Sequence, residues 1–332
     1  MASPLRADRR LWLAAACLAA ALLPAQQVPA QQHSLRLATW NLEWLIAPEE
    51  FDRLAAACSD EPAPGETRVI PCDIVAPPER SKRRSAADLA RLRDYARKLD
   101  ADVIALQEVD GAEAARLVFP GYEFCFTRRV HVQNVGFAVR AGLPFRCGDY
   151  PDLGLEGSRL RWGADLTLFP GSNAEIRLLS LHLKSGCHSE LLTSDRHACA
   201  ALAEQVPVLE RWIDARASAR IPFAVLGDFN RRFSEERPRA RDRFGRLQAL
   251  WPEIDDADPP EADLTNATRN RRSARCSPHD PYNVPIDHIV LSRSLAARLV
   301  PGSVQRIVYS GADARRFKLS DHCPVAVTIA LP

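Results

Sequence analysis

The pattern of apolar and polar residues predicts several strands and two long helices. Unbroken apolar runs predict buried strands at 102–106 and 223–226, the second of which runs into Gly227. Alternating or mixed runs predict further strands at 34–40, 122–127, 135–139, 164–169, 176–183, 285–292 and 325–330. Apolar residues spaced three and four apart predict a helix after Ser85, with Asp88 closing a capping box, and a second helix from about Arg196 to Arg216, capped by Asp195.

Two segments do not fit this pattern of strands and helices. Residues 47–80 contain six prolines and two cysteines and are interpreted as an inserted loop. Residues 231–283 are polar and rich in arginine and proline, with a helical piece near 244–251. The remaining alternation of strands and helices, without a dinucleotide-binding glycine motif or a Walker loop, predicts a sheet-rich α/β enzyme.

The first 30 residues resemble a secretory signal peptide. Three arginines precede a 13-residue apolar run, and Val28–Ala30 offers small residues for cleavage. We expect residues 31–332 to form one catalytic domain in a secreted or periplasmic protein, monomeric and without stable membrane insertion. Cleavage lowers Lys+Arg from 44 to 41 and Asp+Glu from 42 to 41, so the mature net charge is about zero. General binding of polyanions by net charge is therefore excluded.

Eight cysteines follow the predicted signal peptide. An even number in an exported chain favours disulfide bonds, and the absence of a Cys-x-x-Cys motif argues against a zinc site. Connectivity does not follow from sequence, and nearest-neighbour pairing is the simplest hypothesis. It gives the pairs 58–72, 125–147, 187–199 and, by elimination, 276–323.

Polar residues collect where predicted strands end. Asn41 and Glu43 are two positions apart, as are Asp228 and Asn230, so each pair points to one side if the backbone is extended. A turn is the alternative interpretation of residues 227–230, because Gly, Asp and Asn all favour turns. The full candidate set is Asn41, Glu43, Glu108, His182, Asp228, Asn230, Asp287, Asp321 and His322. Its many carboxylate oxygens suit Mg²⁺, with Mn²⁺ or Ca²⁺ as alternatives, better than zinc.

Six short motifs occur in a characteristic order: WNLE at 40–43, LQE at 106–108, SLH at 180–182, GDFN at 227–230, ID at 286–287 and SDH at 320–322. In this order they resemble the motifs of the endonuclease/exonuclease/phosphatase superfamily. The resemblance implies a four-layer sandwich, in which two mixed β-sheets pack face to face with helices outside. It also implies a phosphoric-ester hydrolase that requires a divalent metal.

The resemblance also implies a role for each motif residue. Glu108 is the principal metal ligand, supported by Asn41 and Glu43. Asp228 orients or deprotonates the attacking water, and Asn230 holds the phosphate. Two histidines stabilise the transition state and serve the leaving oxygen: His182, and His322 paired with Asp287 or Asp321.

The substrate is the most open question. We expect a nuclease, with Lys184, Arg269, Arg271 and Arg272 contacting the nucleic acid, because guanidinium groups suit phosphate. Acidic residues interleave with the arginines at 231–243, which favours a solvated loop there. A phosphodiesterase acting on a phospholipid such as sphingomyelin, a phosphatase of a small phosphorylated molecule, and a non-catalytic binding module remain alternatives.

Overall fold

Two six-stranded mixed β-sheets pack face to face in the computed structural model, which describes Met1 and residues 34–269, 275–276 and 283–332. The strands are β1 (Ser34–Leu45), β2 (Val103–Val109), β3 (Tyr122–Phe126), β4 (Asn134–Arg140), β5 (Phe145–Tyr150), β6 (Gly163–Leu168), β7 (Ile176–His182), β8 (Phe223–Asp228), β9 (Thr265–Asn266), β10 (Asp287–Leu291), β11 (Gln305–Arg306) and β12 (Val325–Ala330). The helices are α1 (Pro48–Ala55), α2 (Ala86–Leu99), α3 (Gly111–Arg116), α4 (His197–Ser218), α5 (Trp251–Ile254), α6 (Arg293–Ala296) and α7 (Gly311–Arg316).

Each sheet contains one parallel pair of neighbouring strands at its centre. The first sheet has the order β11-β12-β1-β2-β4-β3, and the second has the order β5-β6-β7-β8-β10-β9. The parallel pairs are β1 with β2 and β7 with β8. Because parallel strands end at the same edge, each pair places its two terminal residues side by side.

Three apolar layers separate the four layers of secondary structure. The inner faces of the two sheets meet through residues such as Leu37, Val103 and Leu226. Helix α4 covers the outer face of the second sheet, where Trp212 packs with Phe223. Helix α2 covers the outer face of the first sheet. The predicted four-layer sandwich is therefore confirmed.

The capping box that begins α2 is present as predicted. The Ser85 side chain accepts a hydrogen bond from the backbone N–H of Asp88, and the Asp88 carboxylate accepts one from the backbone N–H of Ser85. The predicted cap of α4 is wrong. This helix begins after Arg196 and has no side-chain cap, and its first turn is held instead by a disulfide bond between Cys199 and Cys187.

Two other predictions about local structure need correction. The segment 47–80 is not a plain loop, since it contains α1, whose Phe51 and Leu54 anchor a small apolar cluster. The helix predicted near 244–251 begins only at Trp251. The Asp242 carboxylate accepts hydrogen bonds from the backbone N–H groups of Phe244 and Arg246, and this local turn competes with a helix.

All four predicted disulfide bonds are present: Cys58–Cys72, Cys125–Cys147, Cys187–Cys199 and Cys276–Cys323. The signal-peptide prediction falls on residues outside the described part of the chain and stays a prediction. Within the described part, no helix is both long and apolar enough to cross a bilayer.

A thiol titration tests the bridges and the cleavage together. The four bridges use eight of the nine cysteines, and Cys17 is the ninth. Exported protein that is denatured without reductant should therefore show no free thiol if residues 1–30 are removed, and one per chain if they are kept. Several free thiols per chain would contradict the proposed export to an oxidising compartment.

Gly227 permits the close approach of β8 to β7. Its φ is +149°, and a Cβ at this position would lie 2.1 Å from the carbonyl oxygen of Leu181. We expect Gly227→Ala to lower the free energy of unfolding by at least about 2–3 kcal/mol, because backbone must shift to admit the methyl group. Gly302→Ala is the control, since φ there is +75° but no atom lies within 4 Å, so only backbone strain of about 1–2 kcal/mol is added. Denaturant unfolding measures both; equal losses would contradict the clash.

Candidate active site

Three neighbouring strands bring His182, Asp228 and Asp287 together. The strand register places His182 of β7 beside Asp228 of β8, and Asp228 beside Asp287 of β10. All three side chains are buried. The Nε2 atom of His182 lies 3.5 Å from Oδ2 of Asp228. A polar cluster is therefore fixed at the end of the second sheet by strand pairing alone.

Asn41 joins this cluster to the first sheet. Its Nδ2 atom donates to Oε1 of Glu108 at 3.0 Å and to Oδ2 of Asp228 at 3.1 Å. One layer deeper, Gln107 accepts a hydrogen bond from Thr39 and donates one to Ser180, which lies in the opposite sheet. The two sheets are thus connected by buried hydrogen bonds at the end of the sandwich where the motifs meet.

Each carboxylate oxygen of Asp228 has different partners. Oδ1 accepts a hydrogen bond from the backbone N–H of Asn230 at 2.8 Å, which closes a turn. Oδ2 faces Asn41, His182 and His322. The turn interpretation and the site interpretation of this motif are therefore compatible. Asn230 adopts a positive φ, and its amide donates to the carbonyl oxygen of Leu183, so its backbone and part of its side chain stabilise the loop.

His322 and Asp287 form an ion pair within hydrogen-bond distance. Nδ1 of His322 lies 2.8 Å from Oδ2 of Asp287, whereas the nearest contact with Asp321 is 3.8 Å from Nε2. The structure therefore selects Asp287 from the two predicted partners. Burial lowers the pKa of His322, but the charge and hydrogen bond of Asp287, followed by the charges of Asp228 and Asp321, outweigh it and raise this pKa well above 6.5.

The two histidines differ in protonation because their surroundings differ. Burial lowers the pKa of His182 well below 6.5, and the charges of Arg161, His322 and Lys184 lower it further. At neutral pH, His182 is therefore a neutral imidazole and His322 an imidazolium. Burial, with the charges of nearby acids, raises the pKa of Asp228 to about 7, although the charge of His322 opposes the shift.

Glu43 and Asp321 lie at the rim of the site. Glu43 has a positive φ and forms an ion pair with Lys82. Burial raises the pKa of Glu43, and the charge of Asp321 raises it further. Both residues line an open cavity of about 180 Å³. Arg84, which is buried, donates hydrogen bonds to the carbonyl oxygens of Leu42 and Leu319 and so holds this rim together.

Arg161 and Gln133 belong to the site but were not predicted from sequence. Burial lowers the pKa of the Arg161 guanidinium, and the nearby charges of Glu108 and Asp228 oppose this shift. Gln133 donates from Nε2 to Oε2 of Glu108 at 2.6 Å. Neither residue belongs to a recognisable motif, and Arg161 is one of many arginines. The one sequence feature near Arg161 is the alternating run at 164–169, which predicts a strand directly after it.

The predicted substrate-binding residues are only partly assembled. Lys184 follows β7, and its Nζ atom donates to the carbonyl oxygen of Ser185. Arg269 is exposed and lies over the ring of Trp251, 5.9 Å from its centroid. Arg271 and Arg272 fall outside the described residues. In the neighbouring arginine cluster, Arg231 is buried in an ion pair with Glu236, so this arginine is structural.

The donor set around Glu108 fits a divalent cation. Within the described residues, Glu108 receives hydrogen bonds from the amides of Asn41 and Gln133 but has no ion pair with lysine or arginine. The charge of Glu108 also raises the pKa of Asp321. A cation would relieve this concentration of negative charge with the oxygen ligands that Mg²⁺ prefers. The trio Asp228, Asp287 and His322 also places its ligand atoms within 4.8 Å of one another, and Nδ1 of His322 is used in its hydrogen bond with Asp287.

Comparison with known proteins agrees with this geometry. The model of the Endonuclease/Exonuclease/phosphatase family matches residues 38–322. The chain therefore belongs to this family of phosphoric-ester hydrolases. No curated protein sequence matches it.

Solved structures show the same fold at low sequence identity. The 3′ phosphatase NExo from Neisseria, as a point variant bound to product DNA hairpin, is 16% identical with a TM-score of 0.51, covering 88% of this chain and 98% of that one. A humanized TDP2 from D. rerio is 17% identical with a TM-score of 0.53, covering 89% and 98%. A family member from Bacteroides thetaiotaomicron is 15% identical with a TM-score of 0.51, covering 90% and 96%.

The pairing of His322 with Asp287 can be tested directly. In Asp287→Asn, the main cause that raises the pKa of His322 is removed while burial remains, so this pKa should fall by at least about one unit. Ring ¹⁵N NMR over a pH titration measures it. Asp321→Asn, which removes a weaker and more distant charge, should produce a smaller shift. Equal shifts in the two variants would contradict the assignment of Asp287 as the partner.

Proposed function

We propose that this protein is an exported, divalent-metal-dependent phosphodiesterase that hydrolyses nucleic acid. The observation that carries the proposal is the convergence of Glu108, Asp228, a neutral His182 and a protonated His322 at one end of the sandwich. Acids and cations that are held this close, in a partly buried site, suit the positioning and charge neutralisation that phosphoryl transfer requires.

The metal would be held by Glu108, with Asn41 and Glu43 in support, and Mg²⁺ is the proposed ion, with Mn²⁺ or Ca²⁺ as alternatives. A bound divalent cation neutralises phosphate charge and lowers the pKa of a coordinated water. Asn41 also donates to Asp228, so it fixes the position of the metal ligand relative to the group that meets the water.

Asp228 is proposed to orient the attacking water and take its proton. A carboxylate with a pKa of about 7 is well matched to accept a proton at neutral pH. The water oxygen forms a new bond to phosphorus as the bond from phosphorus to the leaving oxygen breaks. His322, held by Asp287, gives its proton to that leaving oxygen, so one proton is taken up and one is released.

His182, Asn230 and Arg161 are proposed to hold the phosphoryl group. Because its pKa is well below 6.5, His182 is neutral and is not proposed to transfer a proton. Its one remaining N–H acts as a hydrogen-bond donor. Asn230 has one amide hydrogen bonded to Leu183, which leaves the second for substrate. Arg161 contributes positive charge beside Glu108 and Asp228. Asp321, at the rim, is proposed to support His322 and the metal side of the site.

Nucleic acid is the proposed substrate class. The matched NExo structure is of a phosphatase bound to a product DNA hairpin, which supports this choice by analogy of fold. Burial and the charge of Arg161 lower the pKa of Lys184. Lys184 is proposed to contact the nucleic-acid strand near the cleaved bond. Arg269, Arg271 and Arg272 are proposed to contact the backbone farther away. Four disulfide bonds support export to an oxidising compartment.

A substrate panel with Glu108→Gln tests the function. Plasmid DNA, RNA, sphingomyelin and inositol phosphates are each incubated with Mg²⁺ or with chelator. Wild-type protein should cleave nucleic acid only with metal, and Glu108→Gln should lower kcat by roughly a thousandfold without loss of folding, since a carboxylate ligand becomes a neutral amide. Glu123→Gln, an exposed change on β3, is the matched control.

Two outcomes would contradict the proposal. Cleavage of sphingomyelin or an inositol phosphate, with nucleic acid left intact under Mg²⁺, Mn²⁺ and Ca²⁺, would replace the substrate class but keep the family chemistry. Full activity of Glu108→Gln in dilute Mg²⁺ would remove Glu108 from the metal site.

A further inference from the structure

A second cavity lies beside the active site, and of its lining residues only Arg161 has a role in the mechanism above. Its volume is about 220 Å³. The inserted segment forms one wall with residues between Ser59 and Pro71, and the loop from Arg129 to Gln133 forms another, with Arg159 and Arg161 completing it. Ligand pockets for whole drug-sized molecules usually measure about 300–1,000 Å³, so this cavity fits only part of a substrate.

Two residues that line the cavity also interact with the active site. Gln133 lines the cavity and also donates to Glu108. Arg161 lines the cavity and also interacts electrostatically with Glu108 and Asp228. Its Nη2 atom donates to the carbonyl oxygen of Leu183, directly after β7. A group in this cavity would therefore lie next to a ligand in the active site.

The cavity concentrates positive charge from three arginines. The hydrogen bonds of Arg129, Arg159 and Arg161 go to backbone carbonyl oxygens, and none of the three forms an ion pair in the described part of the chain. Burial lowers the pKa of Arg129 to about 10, and the charges of Arg161 and Arg159 contribute to that shift. Clustering like charges costs free energy, which a bound anion would recover.

The remaining walls mix apolar and polar side chains and are braced by a disulfide bond. The lining includes one acid, Asp60, whose carboxylate accepts the backbone N–H of Cys72, the residue bonded to Cys58. Trp44 also lines the cavity and has a positive φ, an unusual conformation that the Arg84 bond to its carbonyl oxygen helps to hold. Cationic groups beside an indole ring suit a phosphate that carries a sugar or base.

We propose that this cavity binds the phosphate next to the scissile one in a nucleic-acid strand, so that the enzyme selects substrates with two neighbouring phosphates. The proposal rests on the proposed function. It assigns substrate selection to the disulfide-braced insert and to Arg129 and Arg159.

Matched dinucleotides test this selection with the full mature protein and Mg²⁺. Thymidine dinucleotide with only its internal phosphate is compared with the same dinucleotide carrying an added 5′ or 3′ terminal phosphate. We expect one of the two added phosphates to raise kcat/KM at least about tenfold, since it gains charge-assisted hydrogen bonds to arginine. The preferred end gives the polarity of the strand in the site.

The preference for the added phosphate is the kcat/KM of the dinucleotide that carries it divided by the kcat/KM of the dinucleotide without it. Arg159→Gln should reduce this ratio to near one. Arg159 is exposed, and its described hydrogen bond is to the carbonyl oxygen of Glu66, so the change should not unfold the protein. Arg146→Gln is the matched control, because Arg146 is an exposed arginine on β5 that does not line the cavity, and the ratio should keep its wild-type value there. A ratio near one in wild type, or an equal ratio in wild type and Arg159→Gln, would overturn the proposal.

A binding experiment separates this inference from the proposed function. If wild-type protein cleaves neither the dinucleotides nor plasmid DNA nor RNA, the proposed function fails. In that case, and also if only the long substrates are cleaved, calorimetric titration with inorganic phosphate in the presence of chelator decides the cavity. Phosphate should then bind Arg159→Gln at least about fivefold more weakly than wild type or Arg146→Gln, because one guanidinium contact is lost. Equal affinities would overturn the anion site.

Discussion

The active site depends on one side chain that hydrogen-bonds across the sandwich. Asn41 lies within β1 and donates to Glu108 in its own sheet and to Asp228 in the other. A buried amide without these acceptors would be costly, so the two sheets are held at the separation that satisfies it. The contacts of Gln107 with Thr39 and Ser180 repeat the constraint one layer deeper. The distance between the proposed metal ligand and the proposed base is thus fixed by the core.

The neighbours of each titratable side chain in the site, rather than its residue type, set its protonation state. His182 and His322 are both largely buried, and burial lowers the pKa of each. The charges of Arg161, His322 and Lys184 lower the pKa of His182 further, whereas three acids raise the pKa of His322. Asp228 lies between the two histidines and has a pKa of about 7. A compact arrangement of ordinary side chains can therefore provide a donor, an acceptor and a proton source at neutral pH.

The centre and the periphery of the site are built differently. Three residues at the centre, His182, Asp228 and Asp287, come from the ends of paired strands, where register leaves little freedom. The walls around it come from the insert, the 129–133 loop and the 159–161 turn, which depend on the Cys58–Cys72 bridge and on arginine bonds to carbonyl oxygens. This division explains how one family scaffold can keep its chemistry while the surrounding loops change what is bound.

The sequence by itself determined the family, the two-sheet architecture that the family implies, and the positions at which polar residues follow strands. These features are local or ordered along the chain, so periodicity and motif order were enough to find them. Only the tertiary structure decided that His322 pairs with Asp287, that Glu43 turns toward Lys82, and that Arg161 and Gln133 join the site. Those outcomes depend on strand register and backbone bends that bring together residues far apart in sequence, and no local pattern encodes such distances.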